Sequence, residues 1–206
     1  MKKIVTIFTA LLLMGFTGLA KAQPVTPSQI IQDDIQHVLQ LAKKDDGKNA
    51  QAIRRQVCDY VLPKFDFTRM TALALGKNWR SATPQQQTEL TAQFQALLTH
   101  VYASTMIKYK TAQVIVNPNA DMQANASSAI VHTSVTLPSS DDKKPISIDY
   151  YLHQGPQGWT IFNVNVEGAS LVTAYRNDFD SVIKGQGVDG LIQTLKNKNA
   201  KLAAAS

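Results

Sequence analysis

Residues 146–166 read ISIDYYLHQGPQGWTIFNVNV, and this stretch decides the fold. Ile146, Ile148, Tyr150 and Leu152 alternate with Ser147, Asp149, Tyr151 and His153. That period of two sets apolar side chains on one face of a strand and polar ones on the other. Gln154-Gly155-Pro156-Gln157-Gly158 is a turn by composition, and Trp159 to Val166 resumes as the next strand. Upstream, Ala129, Val131, Thr133, Val135 and Leu137 alternate with Ile130, His132, Ser134 and Thr136. A shorter strand centres on Val114, Ile115 and Val116, with Asn117-Pro118-Asn119 as its turn. Four strands on short links predict an antiparallel meander, closed after Val166 by Glu167-Gly168.

On either side of these strands the apolar period is 3.6. Thr26-Pro27-Ser28-Gln29 starts a helix, with Thr as N-cap, Pro at the first position and Gln at the third. Ile30, Ile31, Ile35, Val38, Leu39 and Ala42 form its stripe, and Asp45-Asp46-Gly47 ends it. A second helix runs from Ala50 to about Leu62 and stops at Pro63. Asp66 caps a short helix from Phe67 to Leu75, ended by Gly76. Thr83-Pro84-Gln85-Gln86 repeats the capping pattern ahead of a long helix, Pro84 to Lys108. After the strands, Leu171 to Ile183 predicts a helix ended near Gly185 and Gly187, and Leu191, Ile192 and Leu195 a last one. A disordered polar tail is expected from about Lys198. The class is therefore α+β: N-terminal helices, a four-stranded antiparallel meander, then C-terminal helices.

The first 22 residues, MKKIVTIFTALLLMGFTGLAKA, have another purpose. Lys2 and Lys3 precede an apolar run from Ile4 to Ala20, and Ala20-Lys21-Ala22 is the small-x-small pattern of a signal-peptidase site. We read residues 1–22 as a cleavable signal peptide and residues 23–206 as one exported domain. Removing Lys2, Lys3 and Lys21 takes Lys plus Arg from 21 to 18 against 15 acidic residues, a net charge near +3. The absence of a basic run or of an aromatic-plus-basic platform argues against nucleic acid as a partner. Cys58 is the sole cysteine, so no internal disulfide can form; within Val57-Cys58-Asp59 it reads as a small buried hydrophobe.

No catalytic constellation assembles. His37, His100, His132 and His153 lack metal-ligand spacing, although His132 and His153 lie on neighbouring strands and could approach each other. Ser170 stands in no G-x-S-x-G elbow and suits a helix cap better. Gly185-Gln186-Gly187 lacks the Lys of a phosphate loop. Asp141-Asp142-Lys143-Lys144 reads as a solvated hairpin loop. No metal, cofactor or enzymatic activity is expected from these residues.

Three segments point to a family: Phe65-Asp66-Phe67-Thr68-Arg69-Met70 with Leu75-Gly76 and Trp79; Ala82-Thr83-Pro84 with Gln86, Phe94, Leu97-Leu98 and Tyr102; and Gly158-Trp159 to Val164 followed by Val166-Glu167-Gly168-Ala169-Ser170-Leu171-Val172, Tyr175-Arg176 and Phe179. With the signal peptide, this ordered series resembles MlaC, the periplasmic phospholipid-carrier family also called toluene-tolerance proteins, over roughly residues 28 to 197. The resemblance implies a carrier without cofactor. It would hold acyl chains in an apolar cavity between sheet and helices and shuttle lipid across the periplasm. Its partners would be an outer-membrane lipoprotein–porin complex and an inner-membrane ABC transporter with its membrane-anchored substrate-binding subunit, and its role to maintain outer-membrane lipid asymmetry. Two acyl chains of roughly 30 methylenes represent on the order of 24 kcal/mol of apolar burial, which a carrier must match while keeping release possible. Candidate lining residues, chosen for inward faces near the sheet–helix junction, are Met70, Leu73, Phe94, Leu98, Val101, Val131, Val135, Ile148, Tyr150, Ile161 and Val164. Arg69, Arg80 and Arg176 are candidates for head-group or partner contact, with ion pairs and helix-terminus charges as rival roles. The competing class is a small periplasmic hydrolase or isomerase with a central pocket, which would require titratable groups converging there.

Overall fold

The computed structural model describes residues 25–123, 126–138 and 144–204, leaving aside the side chains of 104–108. The signal-peptide reading and the loop at 141–143 lie outside these residues. Helices α1 (Pro27–Ala42), α2 (Ala50–Val61), α3 (Phe67–Leu75), α4 (Asn78–Ser81) and α5 (Pro84–Lys108) come first. Strands β1 (Gln113–Val116), β2 (Asp121–Met122), β3 (Ser128–Thr136), β4 (Ile146–Gly155), β5 (Gly158–Val166) and β6 (Ala169–Ser170) follow, and α6 (Arg176–Ala204) ends the chain.

The capping chemistry sets the helix starts. The N–H of Gln29 donates to Thr26 Oγ1 at 3.2 Å, and that of Arg69 to Asp66 Oδ1 at 2.9 Å. At α5 the box is reciprocal: Gln86 N–H donates to Thr83 Oγ1 while Thr83 N–H donates to Gln86 Oε1, at 3.2 and 3.0 Å. Each cap occupies backbone groups that a helix end otherwise leaves unpaired.

The sheet is antiparallel throughout, in the order β1-β3-β4-β5-β6, with β2 also on β3. The four expected strands are all present, but the sheet has six. Asp121–Met122 extends the outer edge beyond β1. At the other edge Glu167-Gly168 does not close the sheet. Both residues take positive φ, 51° and 81°, the two-residue turn that folds a strand back on its neighbour, so Val166 pairs Ala169. Leu171 and Val172 accordingly precede the last helix, and a 3-10 turn at Thr173–Tyr175 leads into it. The two expected C-terminal helices are both present within α6, broken at Gly187, whose φ of 73° no other residue type takes easily. This element continues to Ala204 with Asn199 buried, its amide donating to Gln93 O at 2.9 Å, where composition had suggested a loose tail.

Two apolar cores result. The helical one gathers Met70, Ala74, Leu75, Leu90, Phe94, Leu97, Leu98, Val172, Phe179, Leu191 and Leu195. The sheet one gathers Ile31, Val131, Leu152, Ile161 and Val164. Phe65 packs against both. Beside it the N–H of Asp66 donates to Ile161 O at 2.8 Å, so the start of α3 is tied to β5. A third, smaller core of Leu41, Ile53 and Val57 joins α1 to α2.

Candidate functional site

The alternation that predicts the strands also defines their two faces. Strand pairing aligns Val131 with Tyr150 and Tyr150 with Val164, Thr133 with Ile148 and Ile148 with Val166, and Val135 with both Val114 and Ile146. A register shift between Tyr151 and Leu152 brings Ile161 opposite Leu152. These residues form one apolar strip across β1, β3, β4 and β5, facing the helices.

Accessibility is uneven along that strip. Leu152 and Val131 are 0 % exposed, and Ile161 is buried beside the Phe65–Asp66 tie. Val135 is buried as well, at 8 % exposure, whereas Ile146, Ile148, Tyr150 and Val166 are only half-buried. Ile31 of α1 and Phe65 ahead of α3 thus cover the strip around Val131, Leu152 and Ile161, and part of the apolar face beside them stays accessible. Leaving such a surface in water costs about 25 cal/mol per Å², so it invites apolar cover.

Tyr150 marks the open part. Burial alone pushes its phenol up to about 12, with no hydrogen-bonding neighbour contributing, yet the side chain keeps accessible surface. Thr133 is the other polar residue on the strip, and its hydroxyl is used, donating to Ile148 O at 2.8 Å. Neither a carboxylate nor an imidazole lies on this face. The convergent titratable groups that a hydrolase or isomerase would need are not on it.

The eleven candidate lining residues divide between the cores. Val131, Ile161 and Val164 belong to the sheet core, with Ile148 and Tyr150 packed against it. Met70, Phe94 and Leu98 belong to the helical core, with Leu73 and Val101 against it. Val135 is buried but joins neither cluster. Periodicity could not separate these sets, because a side chain packed in a closed core and one lining a cleft obey the same pattern. Phe65, which joins the two cores, was missed as a site residue; it sits in Pro63-Lys64-Phe65-Asp66, where no period operates.

The three arginines have different surroundings. Arg176 donates to Leu73 O at the end of α3, with Nη2 at 2.6 Å, and so serves that helix's C-terminus. The Arg69 guanidinium lies 4.9 Å from the Phe162 ring, a cation–π distance. Arg80 is exposed and makes no ion pair among the described residues.

On the outer face, His132 and His153 do not meet. His132 sits between two aspartates, Nδ1 at 2.7 Å from Asp149 Oδ1 and Nε2 at 2.9 Å from Asp121 Oδ2. The bonds to Asp121 and Asp149 raise its pKa above the ordinary value. His153 instead faces Ser128. Ser170 donates to Asn163 Oδ1 at 2.8 Å and accepts from the N–H of Thr173, so it does brace a helical turn, but from a strand. Among the described residues no group of three or more His, Cys, Asp or Glu could hold a metal. Two surface clefts, one of about 440 Å³ near Phe65, Phe67 and Gln95 and one of about 310 Å³ between α2 and α5, contain none of the candidate residues.

Fold and site together define an α+β protein organised around a half-open apolar sheet face. Its sequence matches the MlaC protein family over residues 29–197, and the chain belongs to that family. It is also similar to a solved structure, the phospholipid-binding protein from Ralstonia solanacearum in complex with a phospholipid. The two are 31% identical, the match covers 84% of this chain and 96% of that one, and the TM-score is 0.72.

Proposed function

We propose that this protein is an exported, non-enzymatic carrier of glycerophospholipid. The acyl chains lie in a cavity against the accessible part of the sheet's inner face, around Tyr150, Ile148 and Val135, and the head group is toward solvent. The carrier moves lipid between an outer-membrane lipoprotein–porin complex and an inner-membrane ABC transporter with its membrane-anchored substrate-binding subunit, and so maintains outer-membrane lipid asymmetry. The observation that carries this reading is the phospholipid held by the Ralstonia solanacearum relative, which this chain matches over nearly the whole of that relative's length. The apolar strip, half-buried where the sheet leaves the helices, agrees with it. Arg80 has the freest guanidinium for a head group or partner, while Arg69 and Arg176 already have intramolecular roles.

Export rests on the signal peptide, whose cleavage after Ala22 leaves Gln23 as the first residue of a periplasmic protein. Native mass spectrometry of protein purified undenatured from cells, followed by solvent extraction, tests the carrier reading. The expected result is a stoichiometric diacyl phospholipid on a polypeptide starting at Gln23. Protein that is folded and free of lipid would overturn the carrier reading, and an intact Met1 in a membrane fraction would overturn the export reading.

A further inference from the structure

A second constellation lies away from the sheet. Gln51, Arg54, Arg55 and Cys58 are spaced i, i+3, i+4 and i+7 along α2, which places them on one stripe of that helix. The stripe faces Thr99 and His100 of α5 across a cleft of about 310 Å³, which Ala103 and Ala203 also line. Ile53 and Val57, on the other side of α2, point into the third core, so this orientation is set by packing.

The charge in the cleft is one-sided. Arg54 and His100 are half-buried and Arg55 is exposed. No acidic residue lines the cleft. Neither arginine forms an ion pair among the described residues, whereas Lys64, Lys110, Lys184 and Lys196 each hold a carboxylate. Asp59, one turn beyond Arg55, is not part of the lining. Two adjacent planar guanidiniums, with an amide and an imidazole beside them in a concave wall, present many donors and concentrate positive potential. The hydroxyl of Thr99 adds no donor, since it already donates to Gln95 O at 2.8 Å. What matches this arrangement is a compact oxyanion with several acceptor oxygens.

We propose that the cleft between α2 and α5 is a phosphate-binding site, with Arg54 and Arg55 as its principal ligands and Gln51 and His100 beside them. The phosphate comes either from solution or from a lipid head group at a bilayer surface. The site shares no residue with the sheet's inner face, so it stands or falls independently of where acyl chains bind.

Cys58, the only cysteine of the chain, reports on this cleft from within. Burial pushes its thiol up, the charge of Arg54 pulls it back, and the neighbouring Asp59 carboxylate adds a smaller upward push. A bound phosphate cancels that pull and covers the sulfur, and both effects slow alkylation, because the thiolate is the nucleophile. The experiment follows alkylation of the full processed chain by N-ethylmaleimide, an uncharged reagent, using intact mass. Sodium phosphate is compared with sodium chloride at constant ionic strength, and vesicles of phosphatidylglycerol with none. The expected result is a slowing of about threefold or more, equivalent to half a pKa unit at the thiol. It should vanish in Arg54→Gln/Arg55→Gln and shrink in Arg55→Gln alone, whose exposed side chain leaves folding intact. Protection by inorganic phosphate assigns the site to the free ion, and protection by vesicles alone assigns it to a lipid head group. Equal rates in all buffers, or protection that survives loss of both arginines, would overturn the proposal.

Discussion

Phe94 and Tyr150 are both large aromatics in apolar surroundings, and their situations differ in one respect. Phe94 is 0 % exposed, with the rings of Tyr175 and Phe179 edge-on at 5.3 Å each. Tyr150 keeps accessible surface, and its pKa is raised by burial without a hydrogen-bonding neighbour. Around Phe94, α3, α5 and α6 close on one another, and every side of the ring meets protein. Around Tyr150, the sheet has neighbours on its strands but incomplete cover above. Composition does not explain the difference, since both regions are built from Val, Leu, Ile and aromatics. It goes with cover: Ile31 and Phe65 pack on the sheet core, while Ile148, Tyr150 and Val166 stay partly exposed at its margin. One apolar region is sealed, and the other keeps part of its surface accessible.

Substitutions in the two regions should separate them. The largest effect is expected from Phe94→Ala, which leaves a cavity with no route for solvent; a loss of about 3–5 kcal/mol is expected in urea unfolding. A loss below about 1 kcal/mol would mean that the helical layer is itself loosely packed.

The next effect compares two positions on one face of the same strand. Val135→Asp puts a carboxylate beside the half-buried Val114 and Ile146, so water can reach it once the ligand leaves. The expected outcome is a folded protein, weaker by about 1–2 kcal/mol and stripped of lipid. Val131→Asp, four residues along on the same face, has no such relief, and several kcal/mol should be lost. Thermal unfolding and lipid content measured together decide this. If Val135→Asp unfolds as readily as Val131→Asp, the strip is closed at both positions.

The smallest effect concerns the outer face. His132 is held by Asp121 and Asp149, which raise its pKa. The stabilisation it brings is complete below the unfolded value, about 6.5, and is lost as pH rises through the raised folded value. Because the side chain is well exposed, the loss should be under about 1 kcal/mol. His132→Gln should flatten this part of the stability profile above about pH 6.5. An unchanged slope would place the titration elsewhere.

Much of this architecture was legible in local patterns. Thr26, Asp66 and Thr83 announce their helices because a cap is satisfied within three residues of itself. The inner face of the strip follows from the period of two along β3 and β4. Glu167-Gly168 was read as an end because a polar residue before glycine ends many elements. Its role as a hairpin turn depends on Ala169 finding Val166. Arg176 looked available for a ligand until Leu73, distant in sequence, took its guanidinium.

By itself, the sequence determined the α+β order, the starts of α1, α3 and α5, the four main strands and which side chains share a face. Each of these is settled by backbone and neighbours a few residues apart. Tertiary structure alone decided which apolar residues are sealed and which stay accessible, and that Arg54, Arg55 and His100 share one cleft. The hydrophobic effect has no direction: it drives Phe94 and Tyr150 alike toward apolar cover. Whether that cover is the protein's own or must come from elsewhere depends on how far apart the packed layers come to rest.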